Sequence, residues 1–407
     1  GMQVTYARGY DPEDESADQT KEREETLRRE AVQAAFNADV AVIFAGLPDA
    51  YESEGFDRDH MRMPENQNRL IAEIAAVQRN TVVVLHGGAS IMLPWREDVA
   101  AILAMHLGGD GVGRATVDLL YGRVNPSGRL AETWPLKIED SPSYLNFPGE
   151  EGIVEYQEGI FIGYRYYDKK AMKVQYPFGH GLSYTTFVYS DLKTDREVMS
   201  DTDTLRVTVR VKNTGERFGK EVVQLYTGVE NSKVRRPVRE LKGFEKIALA
   251  PGEEKEVEFV LDGRSFAYYE PKIHGWFTES GSVTVEAGAS SRDIRLAAKI
   301  RIDSAMELPL TVTRYTTIGD LMNSSRGRAF VTEFMAKMGM GGAVPDTEQA
   351  REQAAKNKET DDAMGAGAER MRMQMMFEMP LNALVSYGIM SDEELDGLIA
   401  GMTESDS

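Results

Sequence analysis

Glu54 is the residue whose chemistry stands out first. It sits in Tyr51-Glu-Ser-Glu-Gly-Phe-Asp-Arg-Asp-His60, a polar, acid-rich run behind the apolar segment Val40-Ala-Val-Ile-Phe-Ala45. An apolar strand giving way to a polar loop is where open α/β folds present their chemistry, in the crevice beyond the strand ends. Gly55 lets the backbone turn sharply without a Cβ clash, so the neighbouring carboxyl can be brought close to a ligand. A carboxyl so placed is a candidate general acid/base. The competing reading is a solvated acidic loop, because acids are common on surfaces.

The bulk composition narrows the classes of function. A chain of 407 residues is long enough for two or three domains. Apolar residues at 42% and charged residues at 28% fit a soluble globular protein. A formal charge of −19 argues against nucleic acid or an anionic membrane as partner, since phosphates would be repelled. The absence of cysteine excludes disulfides, thiolate metal sites and a Cys nucleophile, and fits a reducing, cytoplasmic setting. The five histidines (His60, His86, His106, His180 and His274) are scattered without ligand spacing, so no metal site is expected. No signal peptide is visible, and no apolar run approaches the ~18 residues of a membrane span. The opening Gly1-Met2 reads as a cloning remnant or as an interior position of a longer polypeptide.

The elements that must hold Glu54 alternate between helix and strand. Residues 20–38 read as a helix with a weak stripe at Leu27, Ala31, Ala34, Ala35 and Ala38. Pro64 opens a second helix, through Arg79, with Leu70, Ile71, Ile74 and Val77 on one face. Thr81–Leu85 and Val99–Met105 are further apolar strands, so three strand-helix units form an incomplete, mostly parallel α/β sandwich covered by helices. Gly108-Gly-Asp-Gly-Val-Gly113 lacks the order of a phosphate-binding motif and reads as a tight turn with close helix packing. A turn-rich stretch over 123–183 carries Tyr156, Phe161, Tyr164, Tyr166 and Tyr167, which either stack on sugar faces or pack under a long loop.

From Thr185 the period changes to two. Leu205, Val207, Val209 and Val211 alternate with polar residues, as do Val257, Phe259 and Leu261, then Val283, Val285 and Ala287. Turns at Asn213–Gly215, Pro251–Gly252 and Ser280–Gly281 complete the pattern of an antiparallel β-sandwich. The tail is helical, with capping boxes at Thr317–Asp320 and Ser391–Glu394. Residues 338–370 read as a flexible linker. Met371, Met373, Met375, Met376 and Met379 form either an adaptable partner surface or a small helical core. The expected division is therefore 1–183 α/β, 184–303 β-sandwich, 304–337 short helical extension, 338–370 linker and 371–407 terminal helices.

Six ordered blocks resemble glycoside hydrolase family 3, the β-glucosidase-type enzymes. They are Glu52-Ser-Glu-Gly-Phe-Asp-Arg58, Leu107–Gly113, Tyr121–Pro135, Ser141–Gly149, Gly159–Tyr167 and Phe178–Phe187. The likeness spans about residues 4 to 302, and its last block leads, as in that family, into a fibronectin-III-like sandwich. Family members usually carry an N-terminal (β/α)₈-type barrel with the Asp nucleophile, which this sequence does not precede with any matching motif; the opening strand and helix of the α/β sandwich also have no counterpart here. The family's Glu-Gly-x-Asp-Arg element maps onto Glu54 as acid/base, with Glu52 as fallback, while Asp57 and Arg58 become a loop-fixing pair or sugar contacts.

The resemblance implies the C-terminal portion of a retaining, exo-acting β-glucosidase, with a β-glucoside or oligosaccharide as substrate and the barrel as its partner. One carboxylate attacks the anomeric carbon and a protonated carboxyl, about 5–5.5 Å away, serves the leaving oxygen. Nearby Glu52, Asp57 and Asp59 favour the protonated form of Glu54, and Arg58 the ionised form. The chain alone is expected to be inactive. The competing class is a non-catalytic carbohydrate-binding or assembly fragment; a homo-oligomer is compatible with either.

Overall fold

The computed structural model describes residues 3–11, 18–309, 311–322, 324–337, 371 and 374–403. Contacts divide the chain into two units, Gly1–Phe266 with Glu279–Ser304, and Ala267–Thr278 with Ala305–Ser407.

The first unit opens with α1 (Asp18–Phe36), β1 (Ala41–Gly46), α2 (Glu65–Val77), β2 (Thr81–His86), β3 (Ala101–Ala104) and α3 (Val112–Leu120). The strands form a parallel sheet in the order β1-β2-β3, with Ala41 opposite Thr81 and Val82 opposite Ala101. Leu70, Ile71 and Ile74 fall on one face of α2 and pack with Ala31 and Ala35 of α1 onto Ile43, Ala45, Val83 and Leu85. Each such burial stabilises the fold by about 1.5–3 kcal/mol for the larger side chains. α1 lies two residues earlier than its apolar stripe suggests, so Ala38 falls past its end, and α2 stops at Val77, which is exposed, short of Arg79. Pro64 stands one place before α2, with the extended ψ of 133° of a capping position, and not in the first turn.

A second difference concerns coverage of the sheet. Val42 and Phe44, on the other face of β1, are 41% and 53% exposed. Apolar side chains on both faces mark a strand made for burial, yet among the described residues the helices cover only the face of Ile43. The glycine run before α3 behaves as a packing turn. A Cβ on Gly108 would stand 2.6 Å from the Val112 side chain.

A strap over 123–183 follows, with β4 (Trp134–Pro135), α4 (Tyr164–Lys169) and β5 (Val174–Tyr176). β4 and β5 pair antiparallel, and Leu130 N–H donates to His180 O at 2.9 Å. The aromatic cluster packs only in part. Tyr164 stacks on Phe178 at 4.7 Å and accepts from Leu241 N–H, and Tyr167 is buried, whereas Tyr156 is 80% exposed.

The sandwich comprises β6 (Phe187–Thr194), β7 (Val198–Met199), β8 (Thr204–Asn213), β9 (Gly219–Val229), β10 (Glu240–Leu249) and β11 (Glu254–Asp262). After the hairpin strands β12 (Tyr268–Glu270) and β13 (Gly275–Phe277), it resumes with β14 (Gly281–Gly288) and β15 (Ile294–Ile302). One sheet runs β10-β9-β14-β15-β7 and the other β11-β8-β6. Their inner faces interdigitate through the alternating residues anticipated above, with Leu205, Val207, Val209 and Val211 wholly buried.

In the second unit, the β12–β13 hairpin carries the edge-on pairs Tyr268–Phe277 and Tyr269–Trp276. It is grouped by contacts with the tail, so residues 267–278 interrupt the sandwich segment. The tail contains α5 (Ile318–Leu321), α6 (Ser325–Lys337), α7 (Leu381–Ser386) and α8 (Asp392–Thr403) around Ile318, Leu321, Val331, Phe334, Leu381, Leu384 and Leu395. Both capping boxes form, the second through Glu394 N–H to Ser391 Oγ at 3.1 Å and Ser391 N–H to Glu394 at 2.7 Å. Met376 is buried in this core and Met379 packs against it, while Met371 and Met375 are exposed. Met373 and the segment 338–370 lie outside the described residues.

Candidate active site

The ends of β1, β2 and β3 deliver three turns to one edge of the parallel sheet. β1 ends close against β2: a Cβ on Gly46 would lie 2.4 Å from His86 O. Buried Gln67 pins the same residue from α2, its amide bonded to both Gly46 N–H and Gly46 O at 2.9 Å. From this fixed end the chain turns through Tyr51 N–H and Glu52 N–H, which both donate to Pro48 O. It is tied down again where Met92 N–H donates to Met61 O at 2.7 Å. The residues between, from Glu52 to His60, are held mainly by their own side chains.

Glu52 reaches across the end of β2, where its carboxylate accepts Gly88 N–H at 2.6 Å. Arg58 turns inward to Glu52, at 3.6 Å, and donates to Ser90 O at 3.4 Å. The loop-fixing partner of Arg58 is therefore Glu52 and not Asp57, because the guanidinium is drawn under the loop while Asp57 remains exposed. Gly55 sits at φ +98° with open space around it, so the turn, not crowding, demands glycine. Glu54, beside it, is exposed, and no hydrogen bond or ion pair among the described residues engages its carboxylate.

A shallow depression of about 400 Å³ is lined by Ala50, Tyr51, Phe56, Asp57, Arg58, Asp59 and His60. It brings Asp57 and Arg58 together, while Glu54 is not among its lining residues. Two Arg58 nitrogens, Nε and Nη2, and Nδ1 of His60 are buried with no hydrogen-bond partner. Buried donors are ordinarily satisfied, so their concentration on one loop is notable. Burial depresses the pKa of Arg58, with Glu52 and Glu132 acting against that effect. Among the described residues no group of His, Asp and Glu has a metal-holding arrangement.

Glu132 is the residue that sequence reasoning missed. Burial pushes its carboxyl above the ordinary range; Ser90 N–H, His106 and Arg58 pull it back, and Glu52 adds to the rise. The residue still presents an open side to solvent, so it stands at the rim of the crevice. It lies in the motif run Tyr121–Pro135, but nothing in that run connects it to a loop about seventy residues earlier. His106, just past β3, holds a left-handed φ of +50°, a strained backbone state of the kind that collects at functional sites.

With this geometry in view, the comparisons with known proteins are specific. The model of the glycosyl hydrolase family 3 C-terminal domain matches residues 3–184, and that of the fibronectin type III-like domain matches residues 221–291. The chain belongs to glycosyl hydrolase family 3. It is 46% identical to thermostable beta-glucosidase B of Acetivibrio thermocellus over 98% of this chain and 50% of that protein. It is 43% identical to an exo-alpha-(1->6)-L-arabinopyranosidase of Bifidobacterium longum over 79% of this chain and 41% of that protein. The crystal structure of the Bifidobacterium adolescentis family 3 beta-glucosidase superposes with a TM-score of 0.74 at 42% identity, covering 81% of this chain and 48% of that one. The Kluyveromyces marxianus beta-glucosidase in complex with glucose gives 0.65 at 42% identity, over 69% and 34%. The chain thus spans half or less of the length of these relatives and is a glycoside hydrolase C-terminal portion.

Proposed function

We propose that this chain is the C-terminal part of a retaining, exo-acting β-glucosidase that removes terminal β-D-glucosyl units, with Glu54 as its general acid/base. In this reading a barrel outside the residues described here supplies the glycone pocket and the Asp nucleophile. The Asp attacks the anomeric carbon while Glu54 gives its proton to the departing glycosidic oxygen, leaving a glycosyl-enzyme ester and a free aglycone alcohol. Glu54, now ionised, then takes a proton from water, whose oxygen attacks the anomeric carbon and releases the Asp. In this reading Asp57 and Arg58, which both line the depression, contact sugar hydroxyls, Asp57 as the exposed one of the two. No metal or organic cofactor takes part in this scheme.

The single observation that carries the reading is the state of the loop after β1. In a family 3 C-terminal domain, beyond the ends of parallel strands, it holds an exposed carboxyl that no hydrogen bond or ion pair among the described residues restrains. A specific observation also supports Glu52 as the second candidate, since its carboxylate already points into the crevice at Gly88 and Arg58. Leaving-group dependence in Glu54→Gln and Glu52→Gln separates the two candidates.

The function itself is tested by turnover. The purified chain should release no aryl alcohol from aryl β-glucosides, and the same chain joined to a family 3 barrel should do so. Because an arabinopyranosidase stands among the relatives, aryl α-L-arabinopyranosides belong in the same panel. Turnover by the chain alone that is abolished by Glu54→Gln would contradict the two-part site. If the joined protein stays inactive and the chain alone binds glucose or cellobiose, the non-catalytic reading replaces this one.

A further inference from the structure

The exposed part of the loop after β1 is bracketed by two residues that turn inward. Residues 53–57, which include Glu54, are all exposed. Glu52 and Arg58, on either side of them, have side chains only 19% and 15% exposed. Both reach the turn that follows β2. The Glu52 carboxylate accepts Gly88 N–H at 2.6 Å, and Arg58 Nη1 donates to Ser90 O at 3.4 Å. They also face one another, guanidinium to carboxylate, at 3.6 Å. The turn that receives them is itself anchored. Ile91 is wholly buried, and Gln175 of β5 donates to Ile91 O and accepts Leu93 N–H, both at 2.9 Å.

We propose that Glu52 is a positioning residue: by joining Gly88 and Arg58 it closes the base of segment 53–57 and fixes where Glu54 stands. Holding both ends of a short segment narrows the positions open to the residues between. An acid must lie within hydrogen-bond reach of the departing oxygen, and a misplacement of about 1 Å can cost ~10²-fold. A carboxylate suits the task because its two oxygens serve both partners, and a bond to an ionised acceptor is roughly twice as strong as a neutral one. Gly88 is exposed, so burial does not shield its N–H, and Glu52 is its acceptor among the described residues. The bonds that turn Glu52 toward the crevice thus commit it to the turn, and the proton falls to Glu54.

This role rests on the acid/base reading of Glu54, and two readouts let the two fail separately. The first needs no turnover. Hydrogen exchange at the Gly88 amide is followed in the whole chain, in wild type, Glu52→Ala, Glu52→Gln and Glu54→Ala. Glu52→Ala should speed it roughly tenfold, the effect of losing one bond to a charged group. Glu52→Gln should change it much less, because the amide oxygen still accepts. Glu54→Ala should leave the wild-type rate.

The second readout is kcat/KM of the barrel-joined enzyme on aryl β-glucosides. Glu52→Ala should lose roughly tenfold on poor leaving groups and little on good ones, as when an acid is held less closely. Glu52→Gln should recover most of that loss, since it keeps the Gly88 bond and gives up only a contact at 3.6 Å. A proton donor at this position would behave otherwise. Neither replacement has a proton to give, so equal losses in both variants on poor leaving groups would overturn the proposal. An unchanged Gly88 rate in Glu52→Ala would overturn it too, as would equal losses on good and poor leaving groups, the mark of a merely structural residue. Faster Gly88 exchange in Glu52→Ala, with no leaving-group dependence in Glu54→Gln, would support the closure while removing the acid/base role from Glu54.

Discussion

Arg239 and Arg58 are held in opposite ways. Arg239, in the sandwich, gives Nε and Nη2 to Glu286 at 2.7 and 3.4 Å and Nη1 to Ser291 O at 2.9 Å. Arg58, in the loop after β1, has one nitrogen engaged at 3.4–3.6 Å and two that are buried without partners. The sandwich uses its charges for cohesion, whereas the crevice keeps donors uncommitted and a carboxyl, Glu54, unrestrained. Buried polar atoms without a partner also occur singly at Asn66, Arg129, Trp134, Asp168, Tyr189, Arg196 and Ser291; the loop differs in having three of them within residues 58–60.

Substitutions can break this comparison. Arg239→Ala strands the Glu286 carboxylate at a site where both side chains are less than a fifth exposed, and should cost about 3 kcal/mol of the sandwich's stability in urea unfolding. A loss near zero would mean that the sandwich charges are as uncommitted as those of the loop. Arg58→Ala should cost only ~1 kcal/mol, since the one ion pair lost is long, at 3.6 Å, and Glu52 keeps its bond from Gly88 N–H. In the barrel-joined enzyme, by contrast, its effect should fall mainly on turnover; a larger stability loss than that of Arg239→Ala would invert the contrast.

The smallest change sharpens the comparison from the sandwich side. Tyr189 Oη is buried in the sandwich core with no hydrogen-bond partner. Tyr189→Phe removes the orphaned group at nearly constant volume, so stability should hold within ~0.5 kcal/mol or rise. A clear loss of midpoint in thermal or urea unfolding would assign the hydroxyl a role in cohesion.

What was legible in the sequence follows from the range of the forces that decide each feature. Period-two alternation at Leu205–Val211 reports local geometry and its burial together, so the sandwich could be read directly. The same holds for the face of α2 at Leu70, Ile71 and Ile74. Val42 and Phe44 could not be read, because an apolar pattern reports that a face suits burial, not what covers it. The loop bearing Glu54, Asp57 and Arg58 was visible from its residue types and its position after a strand. Its wiring was not: Arg58 meets Glu52 and not adjacent Asp57, which stays exposed, and the sequence order does not say which neighbour a guanidinium will turn to. Glu132 and Ser90 enter from distant segments, and only the folded sheet edge brings them to the loop.

The proton assigned to Glu54 is tested most directly by leaving-group dependence in the barrel-joined enzyme. Rates are compared for aryl β-glucosides whose phenols range from poor to good leaving groups, in wild type, Glu54→Gln and Glu52→Gln. Without its acid, the glycosylation step should slow by roughly 10²–10⁴-fold on poor leaving groups and far less on good ones. That steep dependence is predicted for Glu54→Gln and a shallow, wild-type-like one for Glu52→Gln. The reverse pattern would move the role to Glu52, and equal, small losses for both variants would contradict the account.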